Sequence, residues 1–119
     1  MNKQIKKPWG TYEVLYEDDK CKVKKIVIKP KQSLSYQYHK HRDEHWFGIE
    51  GNGMVIMDKY RDSICKGKSF DIIRGELHKV SNLSVEKDCV FIEIQTGDEL
   101  DEEDIIRIDD QYGRTGVVI

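Results

Sequence analysis

The chain has 119 residues and a mass of 14.0 kDa, enough for one domain with one core and too short for two ordinary ones. With 38% hydrophobic and 35% charged residues and no apolar run near the length of a spanning helix, it reads as soluble and globular, not disordered or membrane-bound. A net charge of −2 and a pI near 6.1 argue against nucleic acid as the main partner.

The first seven residues, Met1 to Lys7, are basic but lead into no apolar stretch or small-residue cleavage site, so a signal peptide is not expected. Cys21, Cys65 and Cys89 are odd in number and never in a CxxC pair, which reads as reduced, half-buried thiols in a cytoplasmic protein. Lysines crowd the first forty residues and acids crowd Asp98 to Asp110; both runs read as solvated faces. Short strands separated by turn residues follow one another along the chain. Thr11–Tyr16 alternates, with Tyr12, Val14 and Tyr16 on one face. Cys21–Lys29 ends at Pro30, and Leu34–Tyr38 follows. His45–Glu50 stops at Gly51-Asn52-Gly53, a hairpin-type break, and Met54–Asp58 resumes with Val55 and Met57 opposite Met54 and Ile56. Ser69–Ile73, Leu77–Val80 and Cys89–Gln95 complete the set, and the one helical candidate, Glu99–Ile106, is short and acidic. Many short strands at even spacing predict an all-β sandwich or barrel.

Three of the four histidines, His39, His41 and His45, lie within seven residues, and His78 stands apart. Residues two apart on a strand share a face, so Gln37 and His39, and on the same spacing His41, can converge inside a barrel. Imidazole, carboxylate and amide oxygen make a mixed N/O donor set suited to Zn, Fe, Mn, Ni or Co. Taken alone, a His-x-His in a strand is as well explained by surface or hydrogen-bonded core histidines. Glycine-rich phosphate loops are absent, Gly51-Asn52-Gly53 reading as a hairpin.

Read from Lys31, the chain gives five residues, Gln37-x-His39, four residues, Glu44, six residues and Gly51; then Gly67, five residues, Ile73-x-Gly75, two residues, His78, three residues and Asn82. This resembles the two motifs of the cupin family, at about 31–51 and 67–82, within one domain spanning 1–119. Lys31 stands where the first motif usually has Gly, Gln37 where it usually has His, and Ile73 where the second usually has Pro. Lys7-Pro8-Trp9-Gly10, the run Gln37–Trp46, Glu93–Gly97 and Asp109–Arg114 narrow the likeness further. They resemble the C-terminal cupin domain of type II, bifunctional mannose-6-phosphate isomerase/mannose-1-phosphate guanylyltransferases, here expected as a stand-alone domain.

The resemblance implies an all-β cupin jelly roll, or double-stranded β-helix, holding one divalent metal through Gln37, His39, Glu44 and His78. Zinc is the first expectation, with Mn, Fe, Co or Ni as alternatives. It further implies isomerisation of mannose 6-phosphate to fructose 6-phosphate through a cis-enediol. That chemistry needs a base to move the proton and an electrophile for the developing oxyanion. His45 or His41 is the expected base, imidazole being the residue type that titrates near neutrality. Arg42, supported by Arg114 or Lys40, is the expected phosphate clamp. His45 alternates out of phase with Glu44, so one of the two faces away from the metal. Trp9, Trp46 and Tyr112 are expected in core or lid packing. The expected partner is a small sugar phosphate, without nucleic acid or membrane, in a homodimer built on edge strands. The rival readings are a non-catalytic sugar- or sugar-nucleotide-binding module and an isomerase or epimerase of another sugar.

Overall fold

The computed structural model describes residues 3–57, 60–109 and 116–118. Its strands are β1 (Gln4–Lys7), β2 (Gly10–Glu17), β3 (Cys21–Ile28), β4 (Tyr36–Tyr38), β5 (Arg42–Glu50) and β6 (Gly53–Met57), followed by β7 (Arg61–Ile64), β8 (Ser69–Ile72), β9 (His78–Ser81), β10 (Cys89–Gly97), β11 (Ile105–Asp109) and β12 (Gly116–Val118). Two six-stranded antiparallel sheets face each other, in the orders β1-β2-β3-β10-β5-β8 and β12-β11-β4-β9-β6-β7. This is the all-β jelly roll that the motifs imply. No helix among the described residues is long and apolar enough to cross a membrane.

Period-2 alternation builds the interior of the first sheet in transverse rows. Ile26, Phe91 and Gly48 lie side by side on β3, β10 and β5; the next row is Lys24, Glu93, Trp46 and Phe70, and the next Lys22, Gln95, Glu44 and Ile72. The inner face therefore changes along the strands from apolar to polar. At the apolar end Ile26, Ile28, Val55, Ile64, Val80, Cys89 and Phe91 form the core with Trp46. The polar end is a cavity.

Several expectations are corrected here. Gly51-Asn52-Gly53 is not a hairpin turn: β5 pairs with β10 and β8, β6 with β7 and β9, so these residues carry the chain between sheets. Gly51 takes φ 73°, and a Cβ there would meet the Asp88 carbonyl oxygen at 2.2 Å, so the corner needs glycine. Glu99–Ile106 is not a helix; a turn leads from it into β11, because Ile105 and Ile106 are drawn into the second sheet beside β4. Tyr16 does not share the face of Tyr12 and Val14, since a bulge after Val14 flips the alternation and leaves Tyr16 55% exposed. Cys89 is fully buried rather than half-buried, and burial pushes its thiol up to about 11. All three cysteines are free.

The charged runs are not simply solvated faces either. Lys22 and Lys24 point inward, 7% and 3% exposed, because the strand's alternation places them beneath Gln95 and Glu93. The acidic segment folds over to meet them: Glu102 lies 3.2 Å from the Lys22 ammonium and 2.5 Å from that of Lys24. Lys31, at the motif position usually filled by glycine, sits at φ 66°, a left-handed conformation costly for a residue with a Cβ.

Candidate metal centre

The two motifs meet across the cavity. Gln37 on β4 pairs with His78 on β9, and His78 in turn lies opposite Met57 on β6. His39 follows β4, and its carbonyl accepts the Gly75 N–H at 2.7 Å, which ties the first motif to the second just before β9. Glu44 enters from the opposite sheet. Each of His39, Glu44 and His78 offers one ligand atom, all within 4.8 Å of one another, and all three residues are buried. Their rings pack closely: His39 and His78 centroids are 5.3 Å apart, and Trp46 meets His78 edge-on at 5.6 Å.

Two donors are positioned for a ligand. His78 Nδ1 lies 2.9 Å from the Glu76 carbonyl oxygen and so carries the proton, leaving the Nε2 lone pair facing inward. Nε2 of His78 and Oε1 of Gln37 are both buried with no hydrogen-bond partner in the protein. Buried polar atoms are rarely left unmatched, and a divalent ion would match these two. Burial keeps both imidazoles neutral, pulling His78 down and His39 to about 4, as ligation requires. Burial alone would lift the Glu44 carboxyl, but the Arg42 guanidinium beside it holds it below the ordinary carboxylate range. Residues and chemistry thus fit a divalent cation held by Gln37, His39, Glu44 and His78.

Arg42 lies inside the same centre. Its Nε donates to Glu44 Oε2 at 2.9 Å, its Nη2 to His39 Nε2 at 2.8 Å, and its Nη1 to the Asp101 carbonyl at 3.3 Å. Trp46 Nε1 donates to the other Glu44 oxygen at 2.9 Å. Trp46 is a core residue, as expected, and Trp9 is likewise buried, though both also line the cavity.

His41 and His45, also expected at the site, lie away from the cavity. His41 is turned outward, 44% of its side chain exposed, near Asp98 and Glu99. The reason is a break in alternation: Lys40 and His41 form a corner whose two N–H groups donate to Asp104 at 3.0 and 2.9 Å, so odd residues face inward up to His39 and even ones from Arg42 onward. His45 consequently lies out of phase with Glu44, on the outer sheet face, where its Nδ1 contacts the Asp71 carboxylate. Glu44 faces the centre and His45 does not. Lys40 is exposed, and Arg114 and Tyr112 lie outside the described residues.

Two cavity residues, Glu93 and Lys24, were given no site role from sequence, although Glu93 stands in one of the matching runs. Glu93, buried on β10, is pushed up to about 8, first by burial and then by the Glu44 charge. Gln95 Nε2 donates to it at 2.6 Å. Lys24 sits 4.1 Å over the Tyr12 ring and binds Glu102. The period of β10, with Phe91, Glu93 and Gln95 sharing a face, is the signal that finds Glu93.

Comparison with known proteins gives the chain a family and its fold a precedent. The family described as "Mannose-6-phosphate isomerase C-terminal" matches residues 1–110. The mannose-1-phosphate guanylyltransferase of Escherichia coli K12 is 34% identical over 114 residues, covering 96% of this chain and 24% of its own. The chain thus spans about a quarter of the length of that relative. Among solved structures, the capsular polysaccharide assembling protein CapF of Staphylococcus aureus superimposes with a TM-score of 0.80 at 18% identity, over 92% of this chain and 34% of that one. A Klebsiella pneumoniae protein described as having a double-stranded β-helix domain gives 0.68 at 17% identity, over 80% of each chain. The fold is therefore the cupin double-stranded β-helix, and the chain belongs to the mannose-6-phosphate isomerase C-terminal family.

Proposed function

We propose that this chain is a metal-dependent aldose–ketose isomerase interconverting mannose 6-phosphate and fructose 6-phosphate. The observation that carries the reading is the pair of inward, unmatched donors, His78 Nε2 and Gln37 Oε1, beside Glu44 and His39. A divalent ion held there would supply a positive centre against the charge that develops on a sugar oxygen. The chain's own residues do the rest. Glu93 is the group we assign to proton transfer between C1 and C2, because it is the cavity carboxyl raised towards neutrality and can both take and return a proton. Gln95 orients it through the 2.6 Å hydrogen bond. Arg42, Lys24 and Lys7 line the same cavity and give it cations for a phosphate. Trp9 and Trp46 exclude water from one wall. The homodimer and cytoplasmic location belong to this proposal; β1 and β8 are edges of one sheet, β7 of the other.

A second reading, a non-catalytic sugar-binding module, is favoured by one observation: Arg42 already satisfies Glu44 and His39 without an ion. Incubating the protein with mannose 6-phosphate and one divalent metal at a time separates the two. Metal-dependent, chelator-sensitive formation of fructose 6-phosphate supports the isomerase; binding of the sugar phosphate without turnover under every metal supports the module.

A further inference from the structure

We infer that Arg42 is the resident cation of this centre, and that a divalent ion gains His39 only by displacing the Arg42 guanidinium. The inference rests on the metal site proposed above. A guanidinium is always a donor, so the 2.8 Å contact from Arg42 Nη2 uses the lone pair on His39 Nε2 and leaves the ring proton on Nδ1. A neutral imidazole has a single lone pair. An ion binding Nε2 takes the lone pair that Arg42 holds. An ion binding Nδ1 drives the proton to Nε2, where it would face an Arg42 N–H, donor against donor. Either way the Arg42–His39 contact and a His39-bound ion exclude one another.

Glu44 adds to the competition. One of its oxygens accepts from Arg42 Nε and the other from Trp46 Nε1, so an ion must share both oxygens with donors already in place. His78 Nε2 and Gln37 Oε1, by contrast, meet no competitor and can receive the ion first. Arg42 thus contacts two of the four proposed ligands, His39 and Glu44, and leaves Gln37 and His78 for the ion, so at those two positions the arginine stands where the metal would. The displaced fork, still tethered to β5, then has its N–H groups available to a ligand oxyanion in the cavity.

Calorimetric titration of Co2+ into wild-type protein and Arg42→Met tests this, with ring and guanidinium 15N–1H NMR of the wild type during a Zn2+ titration as a second measurement that needs no variant. The inference expects Arg42→Met to bind Co2+ at least tenfold more tightly than wild type. It also expects the wild-type Arg42 Nε–H signal to shift in step with the His39 ring signals. Equal or weaker Co2+ binding by a folded Arg42→Met overturns it. So does Zn2+ occupancy at His39 that leaves the Arg42 signal unmoved. If neither protein binds any metal, the inference falls together with the metal site, whereas competition without isomerase turnover leaves it standing and removes only the catalytic reading.

Discussion

Glu102→Gln distinguishes a solvated acidic run from one that is part of the fold. The substitution keeps the shape of the side chain and removes its charge, leaving the ammonium groups of Lys22 and Lys24, 7% and 3% exposed, without their shared counter-ion. Breaking a fully buried ion pair from one side costs about 3–5 kcal/mol. Glu102 keeps 38% of its side chain exposed, so the interaction is partly screened, and Lys24 retains the Tyr12 ring 4.1 Å away. The expected loss is about 2 kcal/mol, which for a chain of this size lowers Tm by roughly 6–10 °C. Thermal unfolding followed by circular dichroism measures it, and a double-mutant cycle with Lys24→Met should return a coupling of about 1–2 kcal/mol. The pH dependence follows the same pair. Burial would raise the Glu102 carboxyl, but Lys24 and Arg42 outweigh it and hold the folded-state pKa below the unfolded one. Its stabilisation is therefore complete above about pH 4.5 and is lost as pH falls through the depressed value, and Glu102→Gln should flatten that acid limb. A solvated glutamate would change stability by about 0.5 kcal/mol or less. A Tm drop below about 2 °C, or strict additivity with Lys24→Met, would refute the placement of Glu102.

Four further outcomes are expected. His39→Ala and His78→Ala should each lose bound metal yet stay folded, as elemental analysis and circular dichroism of the purified variants would report. His45→Ala should keep its metal and its turnover, because its ring lies on the outer sheet face against Asp71; metal loss would place it in the centre after all. Lys31→Gly should raise Tm by roughly 2–4 °C, since glycine relieves about 1–2 kcal/mol of left-handed strain at φ 66° and returns about half of it as backbone entropy. Thiol titration should find all three cysteines after denaturation without reductant, with Cys89 the slowest to react in the native protein because burial raises its thiol to about 11.

The parts of this molecule that sequence reveals are those governed by unbroken alternation and by motif spacing. Gln37, His39, Glu44 and His78 converge because each lies at a fixed step within its own strand or just beyond it, and the motif spacing carries those steps. His41 was misplaced because counting by twos runs straight through a corner pinned by Asp104, 63 residues away along the chain. The same kind of non-local contact explains Lys22, Lys24 and Glu102, whose charges look exposed until β3 and the acidic segment are brought together. Gly51-Asn52-Gly53 has the residues of a hairpin turn, yet the strands it joins belong to different sheets, and pairing partners are a property of the whole fold. The role of Arg42 in the centre could not be read from its position beside Glu44, because contact with His39 depends on where the corner ends.

Proton NMR of mannose 6-phosphate in D2O, recorded with metal-loaded protein, tests the central claim most directly. A cavity that moves a proton between C1 and C2 should produce fructose 6-phosphate signals and replace sugar C–H with C–D, both effects vanishing in Glu93→Gln and on chelation. Full metal occupancy with neither conversion nor exchange would contradict the account.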